Sequence, residues 1–454
     1  MAPPTLGVGI RQHTKLAHDA PVNILGVVRS SVRPVGKPPK PARGTRERTS
    51  KAREDSQAAD LDSAEEISVA LEWKLLFPLL TQGSNDPEPN DRRRVVEAQC
   101  EDEVACLVQA HECVAHTIRE FGEKAVTFET ILGKGIEEKE FWDSTWIVKK
   151  ANSAEPMDQE KSLEGYLWVP VEICSPRMFV RDPNTRARMQ GVLNALTSAH
   201  RLAANCSCEV HIHLGRMDGR AWSLSTLKRL GSLLWLAEPT LRSIRDPNSA
   251  NYHNTYTWGF AMRQHSRLRS KVAGLNSLST SLKMAESMIR IPDEQVVATF
   301  RSITQFPAKE LLAISEIWQA PSRLELGRLL SGPEKKYRRL GFNFSSFGEE
   351  DERARRSPRT VEFRFMEGSV DPDLILSWLE VCGTIVETAV VRSDGRYVAA
   401  LSQALQLRTE DRHTSRSSER LGERRAHQFR DLMEAFGVLE KDYCGLTEKI
   451  KREH

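Results

Sequence analysis

The sequence predicts an α+β protein in which short strands alternate with longer amphipathic helices. Two observations carry this prediction. Two segments, ISVALEWKLLF from Ile67 and CEVHIHLG from Cys208, alternate between apolar side chains and mostly polar ones. The period of two is the one that a strand requires. Between them, residues 183–199 repeat apolar side chains at the spacing of a helix. A chain of 454 residues is also long enough to bury a large core.

The composition is that of a globular protein in a reducing compartment. The 65 Lys and Arg nearly balance the 62 Asp and Glu, so no global charge favours nucleic acid or a membrane as an obligatory partner. Eight cysteines in a chain of this length, without the pattern of a secretory signal, indicate free thiols. No apolar run reaches the roughly 18 to 20 residues that a membrane-spanning helix needs. We therefore expect a cytoplasmic protein with no membrane partner.

Residues 1–66 are predicted to form a disordered, basic N-terminal arm. Residues 1–53 hold eleven Lys or Arg against two acids, Asp19 and Glu47, and are rich in proline. This composition buries too little apolar surface to offset the entropy of ordering. A solvated tail, an import signal for the nucleus or an organelle, and a tether to an anionic surface all remain open. Nucleic acid is a minor alternative because the arm lacks interleaved aromatic residues.

The first predicted strand begins at Ile67 and has two different faces. Its apolar face is formed by Val69, Leu71 and Trp73, and its mostly polar face by Ala70, Glu72 and Lys74. Further strands are predicted at 144–149, 166–174, 342–347 and 360–368. Helices are predicted at 95–121, 183–199, from 223 onward, across 273–330 and at 371–391. Residues 396–454 are predicted to form a polar helical extension.

The segment CEVHIHLG places Glu209, His211 and His213 on one face of a strand. Histidines that only satisfy local hydrogen bonds are the competing explanation for this pattern. The nearby Cys206 and Cys208 raise the question of zinc. At about 3.3 Å per residue, Cys206 lies on the order of 23 Å from His213 along a straight strand, and both cysteines face the other way. We therefore expect no zinc site here.

Three other strands also carry charged side chains on one face. Glu362 and Arg364 share a face in TVEFRF, the first strand offers Glu72, and the strand at 166–174 offers Glu172. Carboxylates and imidazoles suit divalent cations that bridge phosphates. A planar guanidinium suits the charge that develops during phosphoryl transfer. A charged side chain on one strand is a weak indication of a functional site, whereas charged side chains on one face of several strands are a stronger one.

Four motifs in this order resemble the amidoligase family, within the superfamily of glutamine synthetase and glutamate-cysteine ligase. They are ALEWKLL, VEICSP, SCEVHIHLG followed by SLSTLKRL, and TVEFRFMEGSVDPDLILSWLEV, and they span Ile67 to Val391. The family typically shows E-x-E, E-x-x-S-P, S-C-G-x-H-x-H and T-V-E-F-R strands at these places. The combination of H-x-H with TVEFR is the most specific part of the resemblance.

The resemblance implies an amidoligase-like domain at 67–395, with a helical insertion at about 273–330. Its antiparallel, funnel-like β-sheet of the glutamine-synthetase type would have helices packed outside and would bind ATP and Mg. Such enzymes activate a carboxylate as an acyl phosphate, which an amine attacks to form an amide bond. The substrates would be small-molecule or peptide carboxylates and amines.

The resemblance also implies roles for six residues. Metal ligands would be Glu72, Glu172, His211 and Glu362; nucleotide contacts would be Glu72, His211 and Arg364; catalytic residues would be Arg364, Glu362 and His213. Arg364 would neutralise the transferred phosphate, and His213 would be a supporting polar group. The chain has no G-x-x-x-x-G-K phosphate loop, because Phe128 stands at the first glycine position before Gly133 and Lys134. ATP would therefore be held by the sheet.

The sequence departs from the family pattern at four positions. Ala70 replaces the first acid of E-x-E, Ala151 falls at the aspartate of a D-G-S turn, Glu209 replaces a glycine, and Ser249 falls where arginine is common. Losing one acid weakens a site for cations, although a neighbour such as Glu209 could compensate. Two hypotheses follow: an active ATP-dependent ligase with an altered metal site, or an inactive amidoligase-like binding or scaffold protein.

Overall fold

The computed structural model describes residues 62–249, 261–274, 290–302, 308–333, 339–348, 358–391, 395–410 and 421–454. Nearly all of the predicted N-terminal arm therefore lies outside the described residues, as do parts of the region predicted as a helical insertion at 273–330. These described residues all belong to one compact unit. Among the described helices, none is long and apolar enough to cross a membrane.

An eight-stranded sheet forms the centre of the described part of the chain. Its strands are β1 (Ile67–Leu80), β2 (Ala125–Thr127), β3 (Trp146–Lys150), β4 (Tyr166–Cys174), β5 (Met178–Phe179), β6 (Glu209–Arg216), β7 (Phe342–Asn343) and β8 (Val361–Glu367). Their order is β2-β3-β4-β1-β6-β8-β7, and β5 pairs with β1. Only β2 and β3 pair in parallel. The protein is thus a mixed α/β protein with a largely antiparallel open sheet, and the funnel shape stays a prediction.

Helices make up most of the remaining described structure. They are α1 (Glu103–Glu120), α2 (Phe128–Lys134), α3 (Asp158–Lys161), α4 (Pro183–Ala199), α5 (Leu224–Leu241), α6 (Met262–His265), α7 (Arg267–Ala273), α8 (Glu294–Ser302), α9 (Ala308–Gln319), α10 (Arg323–Leu330), α11 (Ser345–Gly348), α12 (Pro372–Val390), α13 (Arg396–Glu410), α14 (Leu421–Phe436) and α15 (Glu440–Glu453). Asp182 and Asp371 cap α4 and α12 with their side chains, each just before a proline. Ser223 caps α5 in the same way.

The apolar face of the sheet packs against the helices. Val69, Leu71 and Trp73 of β1 are completely buried, as the alternation in the sequence predicted. The ring of Trp378 in α12 meets that of Phe363 in β8 edge-on, with 6.4 Å between the ring centroids. Burial of each such side chain contributes about 1.5–3 kcal/mol to folding. The core therefore lies on this face and leaves the other face to polar side chains.

Two predicted elements are wrong at their boundaries. The helix predicted at 95–121 begins only at Glu103, because Leu80 exchanges backbone hydrogen bonds with Val96 and Ala98 and extends the chain there. The strand predicted at 342–347 ends at Asn343. The Asn343 side chain accepts a hydrogen bond from the backbone N–H of Ser345 and turns the chain into α11.

The described C-terminal residues form the helices α13, α14 and α15, and they also contribute to the core. Phe429 and Met433 of α14 and Leu446 and Ile450 of α15 are completely buried within the main hydrophobic cluster. The ammonium group of Lys449 donates a hydrogen bond to the carbonyl oxygen of Ile244 at 2.8 Å. The polar character predicted from composition therefore describes only the outer faces of these helices.

Candidate functional site

The first feature of the polar sheet face is a row of alternating charges. The register of β3, β4 and β1 places Lys149, Glu172 and Lys74 side by side. Lys149 Nζ lies 3.3 Å from Glu172 Oε1, and Lys74 Nζ donates to Glu209 Oε2 on β6 at 2.5 Å. The four side chains form two ion pairs on neighbouring strands. This row therefore neutralises most of its own charge.

The second feature is a row built around Glu72. Its cross-strand neighbours are Cys174 on β4 and His211 on β6. Glu72 Oε2 lies 3.1 Å from His211 Nδ1, and Glu72 Oε1 lies 3.1 Å from His213 Nε2. Glu72 therefore bridges the two histidines of the H-x-H motif, and a quarter of its side chain is exposed.

Glu362 and Arg364 on β8 complete the cluster. Glu362 pairs with His213 across the sheet, and its Oε1 atom lies 3.1 Å from His211 Nδ1. Arg364 Nη1 donates to Glu362 Oε1, and Arg364 Nη2 lies 3.8 Å from Glu209 Oε1. The structure thus gathers Glu362, Arg364 and both histidines with Glu72, and it places Glu172 at the edge of this cluster.

A β-bulge explains how Glu362 and Arg364 both reach His211. Phe363 pairs with Ile212 and Met366 pairs with Val210, so β8 contains one residue more than β6 between these pairs. A bulge of this kind bends the strand and redirects a side chain. No pattern in the sequence of β8 indicates the bulge.

The carboxylates of the cluster are ionised despite their burial. Burial acts to raise the pKa of Glu72, but His213 and His211 outweigh it and hold that pKa well below its ordinary value. Burial also acts to raise the pKa of Glu362, but the positive charges of Arg364 and His213 outweigh it and hold that pKa well below its ordinary value. These groups are therefore negatively charged across the neutral pH range.

Glu209 and His211 form a second pair of opposed charges. Burial would raise the pKa of Glu209, but His211, Lys74 and Arg364 lower it to about 2. Burial and the cations Arg364 and Lys74 would lower the pKa of His211, but the carboxylate of Glu209 helps to raise it to about 9. Glu209 Oε2 lies 3.0 Å from His211 Nε2. The Oε2 atom of Glu209 is thus held by Lys74 and His211, whereas its buried Oε1 atom has no hydrogen-bond partner among the described residues.

Two groups of side chains in the described residues have the spacing of a metal site. One consists of Glu72, His213 and Glu362 and the other of Glu72, Glu172 and Cys174, with one ligand atom per residue and all such atoms within 4.8 Å of one another. Neither includes Cys206 or Cys208. Cys174 was not predicted to belong to the site, although alternation along β4 places it on the same face as Glu172.

His213 has the orientation of a metal ligand. Its Nδ1 atom lies 3.1 Å from Thr360 Oγ1, which fixes the ring, and its Nε2 atom faces Glu72 Oε1 at 3.1 Å. His211, which was predicted to be a ligand, is fully buried. The roles assigned to the two histidines from the resemblance stay predictions.

The four departures from the family pattern lie in different surroundings. Ala70 pairs with His213 across the sheet and supplies no carboxylate there. Ala151 is buried in a small apolar cluster that includes Trp168 and Cys208. Glu209 forms the ion pair with Lys74. The hydroxyl of Ser249 is buried without a hydrogen-bond partner among the described residues.

The fold and the site define a mixed α/β protein whose largely antiparallel sheet carries a buried cluster of carboxylates, imidazoles and a guanidinium group. Residues 109–285 match the family described as "Putative amidoligase enzyme", which supports the resemblance seen in the motifs. The matched segment contains Glu172, His211 and His213, whereas Glu72, Glu362 and Arg364 join them through β1 and β8. No curated protein and no solved structure matches the chain.

Proposed function

We propose that the protein is an ATP- and Mg-dependent carboxylate-amine ligase that forms an amide bond through an acyl phosphate. The observation that carries this proposal is the convergence of Glu72, His213 and Glu362, whose ligand atoms lie within 4.8 Å of one another next to Arg364. The family match at 109–285 supports amide-bond formation as the reaction class.

The charge of the cluster suits a divalent cation that arrives with a polyphosphate. Four carboxylates face three permanent cations and the imidazole of His211, whose pKa of about 9 keeps it protonated, so the cluster is close to neutral and a Mg ion would also need the negative charge of a polyphosphate. The carboxylates are Glu72, Glu172, Glu209 and Glu362, and the permanent cations are Lys74, Lys149 and Arg364. Glu72 and Glu362 offer the oxygen ligands that Mg prefers, and His213 offers Nε2. A bound Mg ion would reduce the negative charge of the phosphates.

The reaction transfers a phosphoryl group and then an acyl group. An oxygen of the substrate carboxylate attacks the terminal phosphorus of ATP and ADP leaves; the amine nitrogen then attacks the acyl carbon, phosphate leaves and the nitrogen loses a proton. The guanidinium group of Arg364 would stabilise the charge on the transferred phosphoryl group. Its Nε atom is buried and has no hydrogen-bond partner among the described residues, which leaves a donor for a phosphate oxygen.

The experiment combines calorimetry with an assay of ADP release. The full chain is titrated with ATP in the presence and absence of Mg, and ADP is then measured with mixtures of carboxylates and amines. We expect Mg-dependent ATP binding and ADP release that needs both an acid and an amine. Arg364→Lys keeps the charge but loses the fork, so it should lower the rate by about 10²-fold or more.

A matched pair of variants on β8 serves as the control. Glu362→Gln removes a proposed ligand and should abolish Mg-dependent binding, whereas Glu367→Gln changes a carboxylate that contacts Lys449 and should leave binding intact. Absence of ATP binding with every divalent ion tested would refute the proposal. Tight ATP binding without ADP release for any substrate mixture would instead favour the inactive amidoligase-like binding or scaffold protein.

A further inference from the structure

We propose that a cavity between α5, α6, α7 and α9 is a second ligand site, which binds a small molecule that carries a phosphate group. The cavity has a volume of about 400 Å³, which lies within the range of sites for small molecules. The described residues that line it lie in these helices or next to them, and none belongs to the sheet or to the charged cluster. The inference therefore does not depend on the proposed ligase activity.

A guanidinium group that the protein holds in place forms one wall of this cavity. The guanidinium carbon of Arg263 lies 5.0 Å from the centroid of the Trp235 ring. Its Nη1 atom donates to the carbonyl oxygen of Trp235 at 2.9 Å, and its Nη2 atom donates to Glu310 Oε1. An aromatic face and two acceptors fix the orientation of the group. Arg263 therefore presents positive charge to the cavity before any ligand arrives.

The two carboxylates of the lining already have protein donors. Glu310 accepts from Arg263 through Oε1 and from the indole N–H of Trp235 through Oε2, the latter at 3.0 Å. Glu238 accepts from the backbone N–H groups of Met262 and Arg263, at 2.6 and 2.7 Å. Both carboxylates are almost completely buried. Because each of the four oxygens is engaged by a donor, the lining does not offer them to a cation.

The groups that remain for a ligand are donors. Gln264, Arg269 and Lys309 line the cavity from α6, α7 and α9, and all three are exposed. Among the described residues, none of these three side chains has a hydrogen bond or an ion pair. A guanidinium, an ammonium and an amide from three different helices can converge on a ligand group that has several acceptor oxygens.

The charge of the lining favours an anion. Four cationic side chains oppose two carboxylates, which leaves two net positive charges when both carboxylates are ionised; the cations are Arg242, Arg263, Arg269 and Lys309. Burial raises the pKa of Glu238 to about 7, so the net charge at neutral pH is higher still. A phosphate monoester carries about −1.5 to −2 charges and three acceptor oxygens. It therefore matches both the excess charge and the three donors, whereas a single carboxylate matches neither.

Calorimetry of the full chain with inorganic pyrophosphate tests this site. The titration is made in a buffer without divalent metal ions, so that the proposed Mg-dependent nucleotide site does not contribute. Arg269→Gln and Lys309→Gln should each weaken pyrophosphate binding by roughly tenfold. Arg301→Gln and Lys134→Gln are the matched controls, because both residues are exposed helical cations outside the cavity, and both variants should bind as the unaltered chain does.

Citrate separates recognition of phosphate from a general preference for anions, because it is a polyanion without phosphate. We expect citrate to bind at least roughly tenfold more weakly than pyrophosphate, since its carboxylates present fewer oxygens to each group of donors. Equal or tighter binding of citrate would show that the cavity selects charge alone and would overturn the assignment of a phosphate ligand.

Chemical modification of the unaltered chain provides a second measurement that needs no variant. The rate at which acetic anhydride acetylates each lysine is followed by mass spectrometry with and without pyrophosphate. Saturating pyrophosphate should slow acetylation of Lys309 by roughly tenfold and leave that of Lys134 unchanged. Absence of pyrophosphate binding, undiminished binding in Lys309→Gln and Arg269→Gln, or acetylation of Lys309 at an unchanged rate overturns the inference.

Discussion

The ammonium group of Lys74 and the carboxylate of Glu209 form a buried ion pair, with 2.5 Å between Nζ and Oε2 and no more than 9% of either side chain exposed. Glu209 stands where the motif of the family that the sequence resembles has glycine. This ion pair answers the question that the sequence left open about Glu209. The added carboxylate brings its own counter-ion from β1, and Lys74 and Glu209 are best understood as one unit.

The first prediction concerns the energetic coupling of Lys74 and Glu209. Lys74→Met leaves the buried Glu209 with only His211 and Arg364 as neighbouring cations, and Glu209→Gln leaves the buried Lys74 without its carboxylate partner. Each change should lower the free energy of unfolding by about 3–5 kcal/mol. The double variant should lose less than the sum of the single losses, by roughly 1–3 kcal/mol. Urea unfolding of the four proteins provides these values. Additive losses would show that the two groups do not act as a pair.

The second prediction restores the acid that the first strand lacks. Ala70 pairs with His213 across the sheet and is only partly buried, so a glutamate there would place its carboxylate beside the group formed by Glu72, His213 and Glu362. Ala70→Glu should raise the affinity for Mg²⁺ by roughly tenfold, because the charge of the ligands sets cation affinity. Calorimetric titration of the full chain with MgCl₂ measures the change.

Ala70→Gln is the control for this variant, since it adds the same volume without a charge and should leave the affinity for Mg²⁺ unchanged. Equal affinities in the Glu and Gln variants would mean that position 70 does not face the cation. Ala151→Asp is not a useful companion, because Ala151 is buried among apolar side chains and a carboxylate there would be desolvated without a partner.

Much of the sheet and of the cluster was predictable, because both depend on local periodicity. Alternation placed Glu72, His211, His213 and Glu362 on one face of their strands, and the structure brings these four side chains together. What alternation cannot provide is the register between strands. The pairing of Lys74 with Glu209 depends on the register of β1 and β6.

Two further features depend on contacts that are distant in the sequence. Arg364 reaches Glu362 and Glu209 next to a bulge in β8, and the sequence gives no sign of the extra residue. The start of α1 at Glu103 depends on hydrogen bonds between Leu80 and the segment that precedes the helix. The helical pattern in the sequence extends upstream of Glu103, but the tertiary contact with Leu80 keeps those residues out of the helix.

The third prediction tests whether the C-terminal helices stabilise the fold. Leu446 in α15 is completely buried, whereas Leu439, the residue before this helix, is 61% exposed. Leu446→Ala should lower the free energy of unfolding by about 2–5 kcal/mol through lost burial and the remaining cavity. Leu439→Ala is the matched control and should change it by less than about 0.5 kcal/mol. Similar urea midpoints for both variants would contradict a structural role for α15.

The fourth prediction rests on a buried histidine outside the charged cluster. His200 follows α4 and is 1% exposed, and its Nε2 atom lies 2.8 Å from Thr117 Oγ1. Because the Thr117 hydroxyl donates to the carbonyl oxygen of Cys113, it accepts from Nε2–H, and a second proton would have to bind Nδ1. That atom is buried and has no hydrogen-bond partner among the described residues. Burial, with help from the positive charge of Arg94, lowers the pKa of His200 to about 4.

The consequence is a loss of stability in mild acid. The unfolded chain binds a proton at His200 near its ordinary pKa of 6.5, whereas the folded chain binds it only near pH 4. Between these values the unfolded state holds more protons, so the contribution of His200 to the free energy of unfolding is complete above pH 6.5 and falls by about 3 kcal/mol as the pH drops to 4.

Urea unfolding from pH 7 to pH 4 measures the slope of the free energy of unfolding against pH. His200→Gln keeps a donor for Thr117 and should flatten it by that amount, whereas His116→Gln, at a histidine that is more than half exposed, should leave the slope as it is. A slope that is the same in all three proteins would show that protonation of His200 does not oppose folding.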